Sequence, residues 1–304
     1  MKVERLPSRG ETLLGTGYRV DHGGKGSNQA VGCARLGARV SFVAKIGKDA
    51  FGDTALDLYR SEGVDVSGVQ QISGSPTGVG FIIVEAATGH NCIVLDPGAN
   101  ELLTDADVSR CKHSTETPAV VLTQLETPVL AAEAAMTLGR SCGAITILNP
   151  APVRPLSSSV LRNVDILTPN ESEAKVLAGL DPNVATPLEE VAHQLIRAGV
   201  KQVVITLGEK GALIVSAAGS IHIPAVRSKA VDTTGAGDAF NAGLAIALAS
   251  GANLEDAVRF ATVTGGLAVT KEGVIPALPR REEVLQFFRQ NDGSPPRWLE
   301  VAPH

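Results

Sequence analysis

The sequence predicts an α/β protein with a doubly wound, mainly parallel sheet that is flanked by helices. Short runs of β-branched residues alternate with segments of helical periodicity along most of the 304 residues. Aromatic residues make up only 3% of the chain, whereas 32 residues are glycine, so aliphatic side chains must form the core at close backbone approach. These observations favour buried parallel strands under alanine-rich helices, and they disfavour an all-β sandwich or a coiled coil.

The alternation assigns the elements in order. Strands are predicted at residues 40–44, 119–122, 144–148, 165–167 and 203–206. Helices are predicted at residues 27–36, 129–138, 171–177, 188–198 and 255–269. Apolar residues of the segment 188–198 form one stripe, and Gly199 then provides a helix stop. Because strands and helices alternate, parallel pairing is the natural result.

Two segments interrupt the alternation with extended patterns that have no helix between their strands. We expect strands within residues 12–22 and 78–96 that form a small separate sheet, a lid over a site at the strand ends. No linker or repeat divides the chain, so residues 1–304 are expected to form a single domain. The polar, proline-rich segment 291–304 is expected to be a loose tail.

Charge and cysteine usage narrow the function classes. The formal net charge is -5, and the charged runs are short and mixed, so no nucleic-acid or anionic-membrane partner is expected. The longest apolar tract, residues 239–251, is too short to span a bilayer. The cysteines are far apart in sequence, which predicts free thiols and a cytoplasmic location; they are Cys33, Cys92, Cys111 and Cys142.

The most informative stretch is V-D-T-T-G-A-G-D-A-F at residues 231–240, where a strand end passes through small residues into an apolar helix. Backbone N–H groups of Gly235, Ala236 and Gly237, together with the positive end of the helix, would form an anion hole for a transferring phosphoryl group. Asp238 in the first turn would accept a proton from an attacking hydroxyl. The alternative interpretation is a glycine-rich turn whose aspartate caps the helix.

Three further groups follow glycine-rich turns or strand ends. The segment G-G-K-G-S-N at residues 23–28 lacks P-loop spacing, but its glycines permit close approach of a ligand, and Asn28 offers a donor and an acceptor to sugar hydroxyls. Glu126 follows a buried strand, where it would bind two hydroxyls or remain a solvated loop residue. Asn170 and Glu173 open a helix directly after a strand, and ordinary capping is one explanation of this pair.

D-T-T-G-A-G-D at residues 232–238 resembles the second signature of the ribokinase-like carbohydrate kinases, the PfkB family, and residues 23–30 resemble the first. Similar motifs follow in the family's order at residues 123–126, 149–152, 168–173 and 205–208. The resemblance runs from about residue 6 to residue 288. It implies ATP-dependent phosphorylation of the primary hydroxyl of a pentose, with D-ribose favoured over deoxyribose, fructose, 2-keto-3-deoxygluconate or a nucleoside.

The resemblance also implies roles for single residues. Asp238 is the implied base, beside an anion hole of Gly235, Ala236 and Gly237. The implied sugar ligands are Gly24, Lys25, Asn28, Glu126 and Asp238. The implied ATP ligands are Asn170, Thr206, Gly208, Gly211, Gly237 and Thr262. Glu173 is implied to organise Mg²⁺ through water.

The remaining implied features are a cation and a partner. A monovalent cation such as K⁺ is implied at Asp232, Thr234, Ala268, Lys271 and Gly273, mostly through carbonyls. Ala277 stands where relatives often have serine, so weaker K⁺ activation is expected. A homodimer that pairs through the lid is also implied.

The start of the chain departs from the family pattern. Members begin with a buried strand ending in an N-x-D segment that grips the sugar, and R-L-P-x-x-G-E-T, here residues 5–12, comes only after it. Either the recorded start is truncated, or the protein lacks a strand and part of its sugar site. Without that central strand, we expect two unpaired strand edges and an exposed apolar groove. A weakly active kinase, or a sugar or nucleotide binder without catalysis, is the alternative, against which Asp238 argues.

Overall fold

The computed structural model describes residues 1–88, 91–110, 117–291 and 294–300. Its strands are β1 (Lys2–Val3), β2 (Ser41–Gly47), β3 (Asp65–Ile72), β4 (Val79–Glu85), β5 (Asn91–Asp96), β6 (Val120–Thr123), β7 (Ile145–Leu148), β8 (Ile166–Leu167), β9 (Gln202–Thr206), β10 (Ala212–Ser216) and β11 (Gly219–Ile223). Cys111, expected to be a free thiol, lies outside the described residues.

The helices surround these strands. They are α1 (Lys25–Arg35), α2 (Ala50–Ser61), α3 (Asp105–Arg110), α4 (Val129–Cys142), α5 (Ser158–Leu161), α6 (Glu171–Leu177), α7 (Leu188–Ala198), α8 (Ala236–Ala249), α9 (Leu254–Ala268), α10 (Arg281–Gln290) and α11 (Arg297–Glu300). Within the described ranges, none of them is both long enough and apolar enough to cross a membrane.

The largest sheet has six strands in the order β11-β10-β9-β8-β7-β6. Strands β6 to β9 pair in parallel, and β10 and β11 add an antiparallel edge. Successive residues such as Ile147 and Leu148 belong to different hydrophobic cores, because side chains alternate across a strand. One core packs against α8, α9 and α10, and the other against α4, α6 and α7. This arrangement confirms the predicted doubly wound α/β fold.

The lid is a three-stranded sheet in the order β1-β4-β5. Its two long strands lie within the predicted segment 78–96, but the expected strand within residues 12–22 is replaced by a single bridge between Thr16 and Lys2. Gly17 follows at φ +63°, which turns the chain away from an extended path. The third lid strand is instead β1, which pairs in parallel with β4.

The prediction of a loose tail over residues 291–304 is wrong for its helical part, α11. Leu299 is only 1% exposed, and the ring of Trp298 packs edge-on against Phe260 at a centroid distance of 4.8 Å. The Nε group of Arg281 also donates to the Leu299 carbonyl over 2.8 Å. The tail carries a Trp-Leu pair that finds apolar contacts on α9 and α10, which composition alone does not reveal.

A deep cleft separates the six-stranded sheet from the two-stranded sheet of β2 and β3. Strands β2 and β6 both line this cleft, which has a volume of about 2780 Å³, and no strand of the described residues lies between them. Part of its wall is apolar, with Cys33 from α1, Ala135 from α4 and Ala245 from α8. The missing strand expected from the sequence therefore corresponds to a gap between two unpaired strand edges.

We predict that a strand-forming segment fused ahead of Met1 stabilises the protein. Met1 lines the cleft, and its amino group donates to the Ile82 carbonyl over 3.0 Å, so the fused segment starts beside the gap. About six apolar residues would pair with β2 and β6 and cover their apolar neighbours. Calorimetry should give a Tm higher by at least about 4 °C. A glycine-serine segment of equal length is the control, and equal Tm values for the two fusions would contradict the prediction.

Candidate active site

Two helix beginnings meet at the cleft because α1 and α8 pack unusually closely. A Cβ atom on Gly32 would lie 2.8 Å from the Cβ of Ala242, so only glycine allows this approach. Asn28 lies one turn before Gly32, and Asp238 lies one turn before Ala242. The close packing therefore brings the first turn of α1 against the first turn of α8.

The carboxylate of Asp238 is held by amide donors from α1. Its Oδ2 accepts a hydrogen bond from Asn28 Nδ2 at 2.8 Å, and its Oδ1 accepts one from Gln29 Nε2 at 2.9 Å. The residue is only 5% exposed. Burial raises the pKa of Asp238, while the charge of Lys25 and the two amide hydrogen bonds pull it down. A buried carboxylate with a raised pKa is suited to accept a proton.

The entry to α8 leaves backbone donors free. Gly235 has φ +80°, and a Cβ there would lie 2.6 Å from Val274 Cγ1, so glycine is required. Within the described chain, the N–H groups of Gly235 and Gly237 donate to no protein acceptor, whereas Ala236 N–H donates to the Thr233 carbonyl over 3.3 Å. A free N–H pair at a helix N-terminus can receive an anion. Ala236, expected in the anion hole, is partly committed to this turn.

The predicted sugar side brings α1 next to the carboxyl end of β6. Glu126 Oε2 accepts a hydrogen bond from the backbone N–H of Lys25 at 2.7 Å, and Gly24 lies beside the same oxygen at φ +90°. Burial raises the pKa of Glu126, and Lys25 opposes this rise. Asn28 Oδ1 is buried without a hydrogen-bond partner in the described structure. An unpaired buried acceptor beside two carboxylates fits a ligand that carries several hydroxyl groups.

The predicted nucleotide side lies at the ends of β8 and β9. Asn170 and Glu173 form a capping box on α6: Asn170 Oδ1 accepts from Glu173 N–H, and Glu173 Oε2 accepts from Asn170 N–H, both at 2.8 Å. The capping interpretation is therefore correct for these atoms. The other carboxylate oxygen, Glu173 Oε1, takes no part in the capping box and remains available to a ligand. Burial raises the pKa of Glu173, and the charge of Lys25 opposes this rise.

The other expected ATP ligands are separated into two groups. Thr206 ends β9 and forms a bridge with Asn170, and Gly208 and Gly211 follow in the next turn at φ +58° and +101°. Thr262 lies on α9, where its hydroxyl donates to the carbonyl of Arg259 at 2.7 Å. The hydroxyl of Thr262 is therefore committed within its own helix.

The expected cation loop is held together through Asp232. Its Oδ1 accepts from Thr234 N–H at 2.9 Å, and its Oδ2 accepts from Gly273 N–H at 3.1 Å. Burial opposes ionisation of Asp232, but these hydrogen bonds outweigh it and lower the pKa. The Ala268 carbonyl accepts from Lys271 N–H at 3.4 Å, so this end of the loop is also closed.

Sequence reasoning missed the role of Gln29. It belongs to the first glycine-rich motif, where the expected ligands are Gly24, Lys25 and Asn28 but not Gln29. Gln29 contacts Asp238, Asn149 and Gln124, which are far away in sequence. The one signal in the sequence is that three separate motifs each contain an amide residue: Gln29, Gln124 and Asn149. That pattern does not show that the three side chains meet.

Comparisons with known proteins agree with this geometry. The chain matches the pfkB family of carbohydrate kinases over residues 1–281. It is 39% identical over 291 residues to a ribokinase of Haemophilus influenzae, covering 95% of this chain and 94% of that one. It is 32% identical over 291 residues to a deoxyribokinase of Salmonella typhi, covering 95% of each.

A solved structure shares the fold. The ribokinase of Arabidopsis thaliana, complexed with ribose and ATP, aligns with a TM-score of 0.84 and 31% identity over 95% of this chain and 94% of that one. The family match spans nearly the whole chain and includes both segments that meet at Asp238. The chain therefore belongs to the pfkB family of carbohydrate kinases and is a sugar phosphotransferase.

Proposed function

We propose that this chain transfers the γ-phosphoryl group of ATP to the primary hydroxyl of D-ribose, giving ribose 5-phosphate and ADP. The observation that carries the proposal is the buried Asp238 carboxylate, held by the amide of Asn28 and adjacent to the free N–H groups that begin α8. The relative named ribokinase at 39% identity, and the ribokinase structure with ribose and ATP, support this substrate pair.

In the proposed reaction, Asp238 accepts the proton of the primary hydroxyl while that oxygen forms a bond to the γ-phosphorus. The bond between this phosphorus and the oxygen bridging to the β-phosphate breaks, and its electron pair leaves with ADP. The N–H groups of Gly235 and Gly237 stabilise the negative charge on the transferring group. Lys25, whose charge lowers the pKa values of Asp238 and Glu126, adds a positive field at the same place.

The proposed sugar contacts use the acceptors that the protein leaves free. Asn28 Oδ1, which has no partner among the described residues, would accept a hydrogen bond from one hydroxyl. Glu126 would accept from two others, while Lys25 N–H keeps one of its oxygens in place. A ligand with adjacent hydroxyls would thus satisfy buried groups that otherwise carry a desolvation cost.

The proposed nucleotide site lies across the ends of β8 and β9. Asn170 would lie near the phosphates, and Thr206, Gly208 and Gly211 would contact the nucleotide, with Thr262 offering only apolar contact to the adenine. Glu173 Oε1 would hold Mg²⁺ through water. Mg²⁺ keeps most of its water and phosphate ligands, so a single protein carboxylate is enough to hold it in this way.

A monovalent cation is proposed at the loop around Asp232 and Gly273, where the Asp232 carboxylate accepts a hydrogen bond from the Gly273 N–H over 3.1 Å. The methyl group of Ala277, 1% exposed, replaces the hydroxyl expected in many relatives, so the activation should be weak. Ribose-dependent turnover in K⁺ should exceed that in Na⁺ or in an organic cation buffer by only a few-fold. Equal rates in all three would remove the cation from the proposal.

We also propose that two copies pair through their lids. One face of the lid carries exposed apolar side chains, with Phe81 63% exposed and its cross-strand partner Val94 59% exposed. Such a patch on a thin sheet favours burial against an equal patch. Sedimentation velocity should give a dimer that Phe81→Glu converts to a monomer, whereas a monomeric parent protein would contradict this pairing.

Free thiols at Cys33, Cys92 and Cys142 support the expected cytoplasmic location.

Deoxyribose is the second candidate substrate, because a relative named deoxyribokinase is 32% identical over the same length. The two sugars differ in one hydroxyl, and a site built to hydrogen-bond that hydroxyl discriminates strongly against its absence. A ratio of kcat/KM values for ribose and deoxyribose therefore decides between them. A ratio in favour of deoxyribose would replace the proposed substrate.

Two substitutions separate the proposed roles. Asp238→Asn keeps the shape but removes the proton acceptor, so kcat should fall by roughly 10²–10⁴-fold with nearly unchanged ATP binding.

Glu126→Ala removes a buried acceptor from the sugar side only, so the KM for ribose should rise about tenfold to a hundredfold while the KM for ATP changes little. Steady-state kinetics measures both.

The opposite pattern would contradict these assignments. Turnover by Asp238→Asn within a few-fold of the parent would remove Asp238 from the chemistry. Equal changes in the two KM values for Glu126→Ala would remove Glu126 from the sugar site. Nucleotide binding without any sugar-dependent turnover in the parent protein would favour a non-catalytic binder.

A further inference from the structure

A chain of buried polar side chains lies behind the Asp238 carboxylate. Asn241 Nδ2 donates to the carbonyl of Gly237 at 2.8 Å, and Asn241 Oδ1 accepts from the hydroxyl of Thr168 at 2.7 Å. The main-chain carbonyl of Thr168 accepts from Asn149 Nδ2 at 3.0 Å. These side chains are buried, so each polar atom needs a partner inside the protein.

Main-chain carbonyls fix the direction in which these amides point. A carbonyl oxygen can only accept, so Asn149 must direct its NH₂ group at Thr168 and its Oδ1 at Gln29. Gln29 must then present Nε2, which donates to Asn149 Oδ1 at 3.2 Å and to Asp238 Oδ1 at 2.9 Å. Its Oε1 accepts from Gln124 Nε2.

The Gln29 amide is therefore locked in one orientation. Both of its N–H groups and its carbonyl oxygen have partners, and the side chain is 1% exposed. A half-turn of the amide would place its oxygen against two acceptor oxygens, those of Asn149 and Asp238. This orientation directs an N–H group of Gln29 at Asp238 Oδ1, which accepts the hydrogen bond.

We propose that Gln29 is a positioning residue for phosphoryl transfer, because its locked amide holds Oδ1 of the Asp238 carboxylate and so fixes the orientation of the proposed base. Each carboxylate oxygen accepts one amide hydrogen bond, Oδ1 from Gln29 and Oδ2 from Asn28, so acceptor capacity remains for the substrate hydroxyl. This inference rests on the proposed function, since it concerns the orientation of the proposed base. Gln124 supports the arrangement indirectly by orienting Gln29.

The charged groups that face Asp238 are Lys25 from α1 and Glu126 from the end of β6. Burial raises the pKa of Asp238, whereas Lys25 and the amides of Gln29 and Asn28 lower it. Glu126 and Asp238 disfavour each other's ionisation. Loss of the Gln29 donor therefore raises the pKa of Asp238 further, while the field of Lys25 and Glu126 stays in place.

Gln29→Met tests the proposal, because methionine has a similar length and no donor. We expect kcat with ribose to fall about tenfold to a hundredfold at pH 7.5. The acidic limb of the kcat profile should move to higher pH, and the KM for ATP should stay within about twofold of the parent value. Gln71→Met is the matched control, since Gln71 Nε2 donates to Asp53 Oδ1 at 2.8 Å on the surface; it should change none of these quantities.

A double substitution separates positioning from a general structural effect. In an Asp238→Asn background, Gln29→Met should change the residual kcat less than twofold, because its partner carboxylate is absent. An unmoved acidic limb, or an equal loss of kcat in both backgrounds, would overturn the proposal. If Gln29→Met does not fold, Gln124→Met removes the donor to Gln29 Oε1 and so weakens the hold on the Gln29 amide. The same limb should then move in the same direction by less, and an unmoved limb there overturns the proposal too.

Thermal unfolding provides a readout that does not depend on turnover. A carboxyl group whose pKa is raised by folding stabilises the folded protein at low pH, and this contribution is lost as the pH rises through the folded pKa. Gln29→Met should therefore lower Tm more at pH 8 than at pH 5, and this difference should vanish when Asp238 is Asn. A pH-independent Tm loss contradicts the inference. Absence of ribose turnover in the parent protein contradicts only the proposed function, so the two failures are distinguishable.

Discussion

The close contact between α1 and α8 at Gly32 and Ala242 is the constraint on which the site depends. It lets two successive amides of α1, Asn28 and Gln29, reach the same carboxylate. A carboxylate buried without donors would carry a large desolvation cost and would stay protonated. The basicity of Asp238 therefore depends on the amide donors, and the position of these donors depends on the packing of α1 against α8. The other residues of the cleft supply ligand contacts around this carboxylate.

Features that depend on neighbouring residues were predictable from the sequence. The strand and helix pattern, the glycine-rich entry to α8 and the capping pair Asn170 and Glu173 all follow from local rules. The partners of Asp238 were less accessible, because Gln29 lies 209 residues away along the chain and its other partner, Asn149, lies 120 residues from it. No periodicity or spacing reports such a contact, although the family resemblance placed Asn28 near the sugar.

The corrected expectations share a cause, which is competition from tertiary contacts. The segment around Thr16 had strand-like composition but found only one bridging partner, and Leu299 found an apolar pocket that tail composition does not predict. Ala236 and Thr262 were assigned to ligands, yet each already donates a hydrogen bond to a nearby carbonyl. The open edges of β2 and β6, in contrast, were expected from the departure at the start of the family pattern.

We propose that the site around Asp238 transfers phosphoryl to the primary hydroxyl of a pentose. Phosphorus NMR of a reaction with ATP and ribose, with carbon NMR to locate the ester, tests this transfer. One phosphomonoester is expected, on the primary carbon of ribose, formed in equal amount with ADP. ADP release without a sugar phosphate, or an ester on another hydroxyl, would show that the site does not carry out this transfer.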